Sequence, residues 1–143
     1  MPSDALYNQE LLSYVTRIKP EDRLSNPSTT DSAYSPICGT EITIDINIDE
    51  NGNITALGYD SDSACALTKT TLAILLGNAT GQNISQIEAG LNQLNDVLEG
   101  TGTPKPPWEN LSVLGPAKDY TARHNSMRLP FEATLKALQK LAK

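Results

Sequence analysis

Cysteine, histidine and large aromatic side chains are all scarce in this chain of 143 residues, which has two cysteines, one histidine, one tryptophan and one phenylalanine. Two thiols, Cys38 and Cys65, cannot form a disulfide framework, and a chain of this length buries a core without one. A Cys-x-x-Cys redox pair is missing, and a single histidine leaves little choice of catalytic base, so an enzyme is not expected. A basic excess is missing as well. The net charge of −6 argues against a nucleic-acid partner, because phosphate binding needs a basic surface. No stretch approaches the roughly 18 apolar residues of a membrane span. No apolar run follows a basic start, so no signal peptide is expected either. A cytoplasmic location follows, with no membrane partner. In that compartment the two cysteines are free thiols, metal ligands or reactive groups rather than a structural bridge.

What is present is a clear order of patterns. Residues Ala5 to Ile18 repeat Leu11, Leu12, Val15 and Ile18 at helical spacing, and Pro20 ends the run. Asn26 to Ser35, rich in Ser, Thr, Pro and Asp, reads as an extended connection. Glu41 to Asp49 alternates Ile42, Ile44, Ile46 and Ile48 with Thr43, Asp45, Asn47 and Asp49. This is a strand with one apolar face and one solvated acidic face. Each buried isoleucine is worth about 1.5–3 kcal/mol, so the register is firmly specified. Asn51-Gly52 supplies a hairpin turn, and Ile54 to Tyr59 returns.

Helices are expected over Ala64 to Leu76, with N-cap oxygens from Asp60 to Ser63, and over Ile84 to Leu98. Gly100 to Pro107 is a linker and Trp108 to Leu114 a short element. Leu129 to Leu141 closes the chain as a helix with Pro130 in its first turn. A single domain over 1–143 follows, of class α+β: a small antiparallel sheet with helices packed on one side.

The cysteines sit where backbone geometry can present a thiol. Cys38, between Pro36-Ile37 and Gly39 at the entry to the hairpin, reads equally as a small buried hydrophobe or as a thiol projecting from a loop. Cys65 lies in the first turn of its helix, where unpaired N–H groups and the macrodipole favour a thiolate. A core cysteine beside Ala64 and Ala66 is the other reading. His124, just before the last helix, reads as a surface or capping residue. Two cysteines and this histidine are also three of the four ligands that zinc takes.

These residues together resemble the NifU/IscU-type iron–sulfur cluster assembly scaffolds. The resemblance rests on Cys38-Gly39 entering an isoleucine-rich hairpin, on Cys65-Ala66-Leu67 opening a helix, and on Arg123-His124-Asn125-Ser126 before Leu129-Pro130-Phe131-Glu132. It covers nearly the whole chain. The long segment between Cys65 and Ser126 is similar to the SufU branch. The family site uses three cysteines and an aspartate. Cys38 and Cys65 match the first two cysteines, Thr40 stands where the aspartate usually lies, and Ser126 stands at the third cysteine. A serine hydroxyl is a much poorer ligand than a thiolate near neutral pH, and His124 is the candidate substitute.

The resemblance implies a scaffold or carrier that binds iron, an iron–sulfur cluster or zinc through Cys38, Cys65 and His124, with Thr40 and Ser126 beside them. It implies a cysteine desulfurase as partner, and a homodimer in which a second copy supplies missing ligands. The alternative is an interaction module that keeps the fold, binds no metal, and docks on a cysteine desulfurase.

Overall fold

The computed structural model describes residues 8–37 and 39–141. Four antiparallel strands, β1 (Glu21–Asp22), β2 (Thr29–Ser35), β3 (Thr40–Ile48) and β4 (Ile54–Asp60), form one sheet in the order β1-β4-β3-β2. The helices are α1 (Gln9–Val15), α2 (Ala66–Asn78), α3 (Ile84–Glu99) and α4 (His124–Leu141), with 3-10 turns over Glu109–Asp119 and Thr121–Arg123. Helix α4 lies across β2 and β3, and α2 and α3 pack on α4. Ile42, Ile44 and Ile46 are fully buried beneath it, so alternation set the register as expected. The α+β class, with helices on one side of a small antiparallel sheet, is what the patterns indicated. The scarce aromatics are spent in the core, where Trp108 and Phe131 meet edge to face with ring centroids 5.3 Å apart. No helix among the described residues is long and apolar enough to cross a membrane.

Four local expectations need correction. The first helix is shorter than its pattern and begins at Gln9, capped by the Asn8 side chain accepting from the Leu11 N–H at 2.9 Å; Ala5 to Tyr7 lie outside the described residues. Thr29–Ser35 is not a connection but the edge strand β2, paired with β3 from Thr29↔Ile46 to Ser35↔Thr40. Its Ser and Thr side chains hide the alternation, since hydrogen bonds rather than apolar burial satisfy them. The Ser32 and Thr43 hydroxyls meet at 2.7 Å, and Thr29 donates to the Ala137 carbonyl at 2.9 Å.

The acidic face of β3 is not wholly solvated either. Asp45 is fully buried, and the chain at Arg23 and Leu24 folds over it. Its carboxylate accepts two bonds from the Arg23 guanidinium (2.8 and 3.0 Å), one from the Leu24 N–H (3.0 Å) and one from the Thr30 hydroxyl (2.7 Å). Gly58, the register partner of Asp45, makes room for this strap, since a Cβ there would lie 2.6 Å from the Leu24 nitrogen. The Arg23 hydrogen bond, seconded by Thr30 and Leu24, holds the Asp45 carboxyl below the ordinary aspartate range against the opposing effect of burial.

The last correction concerns α4. It starts at His124 rather than Leu129, which puts Pro130 in its interior. Proline has no N–H to donate to the carbonyl four residues back, here that of Ser126. The Thr68 hydroxyl of α2 takes the proline's place, donating to Ser126 O at 2.9 Å. The helix therefore runs through its proline because a neighbouring helix supplies the missing donor.

Two outcomes follow. Thr68→Val strands a buried carbonyl and should cost about 1–3 kcal/mol in urea unfolding. The same change should cost less in a Pro130→Ala background, where the helix regains its own N–H, so the double-mutant cycle returns a clear coupling. Asp45→Asn should cost about 2 kcal/mol at neutral pH, within the range for hydrogen bonds to a charged group. Because the folded carboxyl titrates below its unfolded value, this stability is present above about pH 4 and is lost as pH falls through the folded value. Unfolding curves of wild type and Asp45→Asn should converge at acid pH.

Candidate functional site

The end of the sheet where β3 begins is built by three segments. Ser35, the last residue of β2, pairs with Thr40, the first of β3. The short connection between them turns at Gly39, whose φ of 72° favours glycine and whose N–H donates to Ser35 O at 2.8 Å. Ile37 in this connection is 68% exposed. Cys38 lies outside the described residues.

The second segment is the approach to α2. The Ser63 hydroxyl accepts from the Glu41 N–H at 3.0 Å and donates to Glu41 O at 3.1 Å, fastening this approach to the start of β3. Ser63 therefore does not cap the helix. The N-cap is Cys65 itself, with extended backbone (φ −77°, ψ 170°) and no side-chain capping bond. Its thiol is free and half-buried. A cysteine at N-cap keeps its sulfur at the helix mouth, where first-turn N–H groups point toward solvent or a ligand.

The third segment is the first turn of α4, joined to α2 through one hydroxyl. Cys65 Sγ lies 3.4 Å from Thr68 Oγ1, which donates its proton to Ser126 O. With that proton committed, Thr68 presents lone pairs to the sulfur, and the neutral thiol donates to it. Thr68 was not singled out in the sequence. The signal was there, a hydroxyl three residues after Cys65 and a proline four after Ser126, but only the packing of α2 on α4 connects them.

The structure thus brings Thr40, Cys65 and Ser126 to one end of the molecule, with His124 in the same first turn of α4 as Ser126 and held by Ala117 O. Thr40 is buried on the helix-facing side of β3, in line with Ile42 and Ile44. The Ser126 hydroxyl donates to Arg123 O at 2.9 Å. His124, the first residue of α4, is buried rather than on the surface. Its Nε2 is 2.9 Å from Ala117 O, a carbonyl that can only accept, so the proton sits on Nε2 and only Nδ1 is left for a ligand. It lines a shallow cavity with Leu98, Glu99, Lys118, Asp119 and Thr121.

Among the described residues, no three of His, Cys, Asp or Glu gather where they could hold a metal ion. Cys65 is the one thiol described at this end, with the Thr68 hydroxyl 3.4 Å from its sulfur. Two buried polar atoms close in sequence to these positions, Ser35 Oγ and Asn125 Oδ1, have no hydrogen-bond partner among the described residues. The described donors suit part of an iron or cluster site and, among the described residues, do not complete one.

No known family profile matches the chain. In sequence it is 19% identical over 138 residues to the iron–sulfur cluster assembly scaffold protein IscU of Thermotoga maritima, covering 96% of each chain. In structure it superposes on the N-terminal part of a nitrogen-fixing NifU-like protein from Brucella abortus, with a TM-score of 0.91 at 22% identity, covering 99% of this chain and 98% of the other. It also superposes on the putative SUF-system scaffold SufU of Fervidobacterium islandicum, with a TM-score of 0.84 at 16% identity, covering 95% and 98%. Over essentially its full length the chain is thus similar in sequence to an IscU scaffold and shares the fold of NifU-like and SufU proteins.

Proposed function

We propose that this chain is an iron–sulfur cluster assembly scaffold or carrier, a one-domain protein without enzyme activity of its own. Its cargo is iron or a cluster, held where Cys65 lies. The supporting likeness is to a scaffold of that function along the whole chain. The observation that carries the reading is Cys65 at the N-cap of α2, its thiol half-buried and outside the capping network, beside the turn that leads into β3. Cys38, two residues before Thr40 in the chain, is the second thiolate of the proposed site. Thr40 and Ser126 flank the site without the strength of thiolate or carboxylate donors, so the remaining ligands come from a second copy or from a cysteine desulfurase. His124 would have to reach the cargo through Nδ1. A cytoplasmic setting suits such thiols.

A second reading is favoured by one feature, the Ser126 hydroxyl turned back onto Arg123 O at the place of the third family cysteine. Here the chain docks on a cysteine desulfurase without holding metal.

Protein purified without oxygen, before and after incubation with ferrous iron and sulfide, separates the two. Assays for iron, zinc and acid-labile sulfide should find bound iron in the wild type. Cys65→Ser and Cys38→Ser should each lower it about tenfold or more, since even outer-shell changes cost that much at metal sites. Iron retained in Cys65→Ser would overturn the scaffold reading. Metal-free protein that still co-elutes with a desulfurase would establish the docking module, and absence of co-elution would remove it.

A further inference from the structure

β2 is the outer strand of the sheet, and among the described residues nothing pairs with its far side. Such an edge carries a row of outward N–H and C=O groups that invites another strand. On β2 these groups belong to Thr30, Ser32 and Tyr34, because outward-facing residues alternate in an antiparallel ladder. Three side chains occupy them. Lys136 Nζ donates to Ser32 O at 2.6 Å, and Lys140 Nζ donates to Thr30 O. The Ser32 N–H donates to Asp31 Oδ1 at 2.7 Å. The Asp31 carboxylate also lies 3.7 Å from Lys136 Nζ and 3.8 Å from Lys140 Nζ. Lys136 and Lys140 are one helical turn apart on α4, so a single helix face reaches over the strand at two successive outward carbonyls. Both lysines remain about half exposed, which is where a capping side chain must be to cover an edge from the solvent side.

We infer that Asp31, Lys136 and Lys140 form a lock on the β2 edge that keeps it from pairing with the β2 edge of a second copy of this chain. The occupant is set by the strand itself. With a two-fold axis at Ser32, antiparallel β2 strands would match Ser32 with Ser32 and Thr30 with Tyr34. These are the outward residues, and each pair could exchange both backbone bonds. The pairing would also bring Lys136 and Lys140 of the two copies toward each other, so the lysines oppose it by charge as well as by occupying carbonyls. None of these residues belongs to the Cys65 end, so the inference is independent of the proposed cargo.

The test is the solution mass of metal-free protein over a concentration series, by light scattering or sedimentation equilibrium. Lys136→Ala/Lys140→Ala should show a concentration-dependent doubling of mass relative to the wild type in the same run. Adding Tyr34→Pro should reverse it, because proline removes an outward N–H without touching the β2–β3 ladder. Circular dichroism checks that each variant is folded. A double variant that keeps the wild-type mass at every concentration overturns the inference. So does a doubled mass that Tyr34→Pro leaves unchanged, since the contact would then lie elsewhere.

Discussion

Pro130 leaves the Ser126 carbonyl without its helical donor, and the hydroxyl of Thr68 stands in for it. Much of the site depends on that substitution. It brings the first turn of α4 against α2, and it spends the one proton Thr68 has, so that the oxygen meets Cys65 Sγ with lone pairs. A local defect in one helix thereby determines the polar surroundings of a thiol on another. An ordinary residue at Pro130 would satisfy Ser126 within α4 and leave Thr68 free to turn.

The opposite face of the sheet is organised on the same principle, by a buried polar group that must be satisfied. Asp45 gathers Arg23, Leu24 and Thr30 and so draws the segment before β2 over the strands. A carboxylate with four donors is kept ionised and stays buried at no unmet cost. The sheet is therefore held from one side by apolar packing under α4 and from the other by a charged clasp. At its edge, Asp31 with Lys136 and Lys140 completes the satisfaction of exposed backbone groups.

Chemically, the β3-entry end offers sulfur at a helix mouth together with the hydroxyls of Thr68 and Ser126, whose protons are already committed. The Ser126 hydroxyl serves its own helix turn, and Thr40 is packed beneath α4 with the isoleucines of β3. On the proposed scaffold reading, such donors would favour transient holding of the cargo over permanent coordination by one chain. Weak donors let go where a full set of thiolates would not.

How much of this was legible before folding depends on the physics of each part. The isoleucine alternation of β3, the Asn51-Gly52 turn and the apolar stripe of α3 are local signals, and each gave its element correctly because burial of a period-two or period-3.6 pattern has one good solution. The position of Cys65 at a helix start was also readable. Strand β2 was not, since its polar side chains find partners on β3 and α4 that no local pattern announces. The true start of α4 was hidden by Pro130, whose defect is repaired from α2. The burial of Asp45 required a strap more than 20 residues away in sequence. His124 looked exposed in the sequence, but it is buried and its Nε2 is taken by Ala117 O, a partner that no local pattern announces. The sequence by itself determined β3, its hairpin, the apolar stripe of α3 and the place of Cys65 at the start of α2. Only the tertiary structure decided which hydroxyl meets which sulfur, because hydrogen-bond donors are satisfied across space and not along the chain.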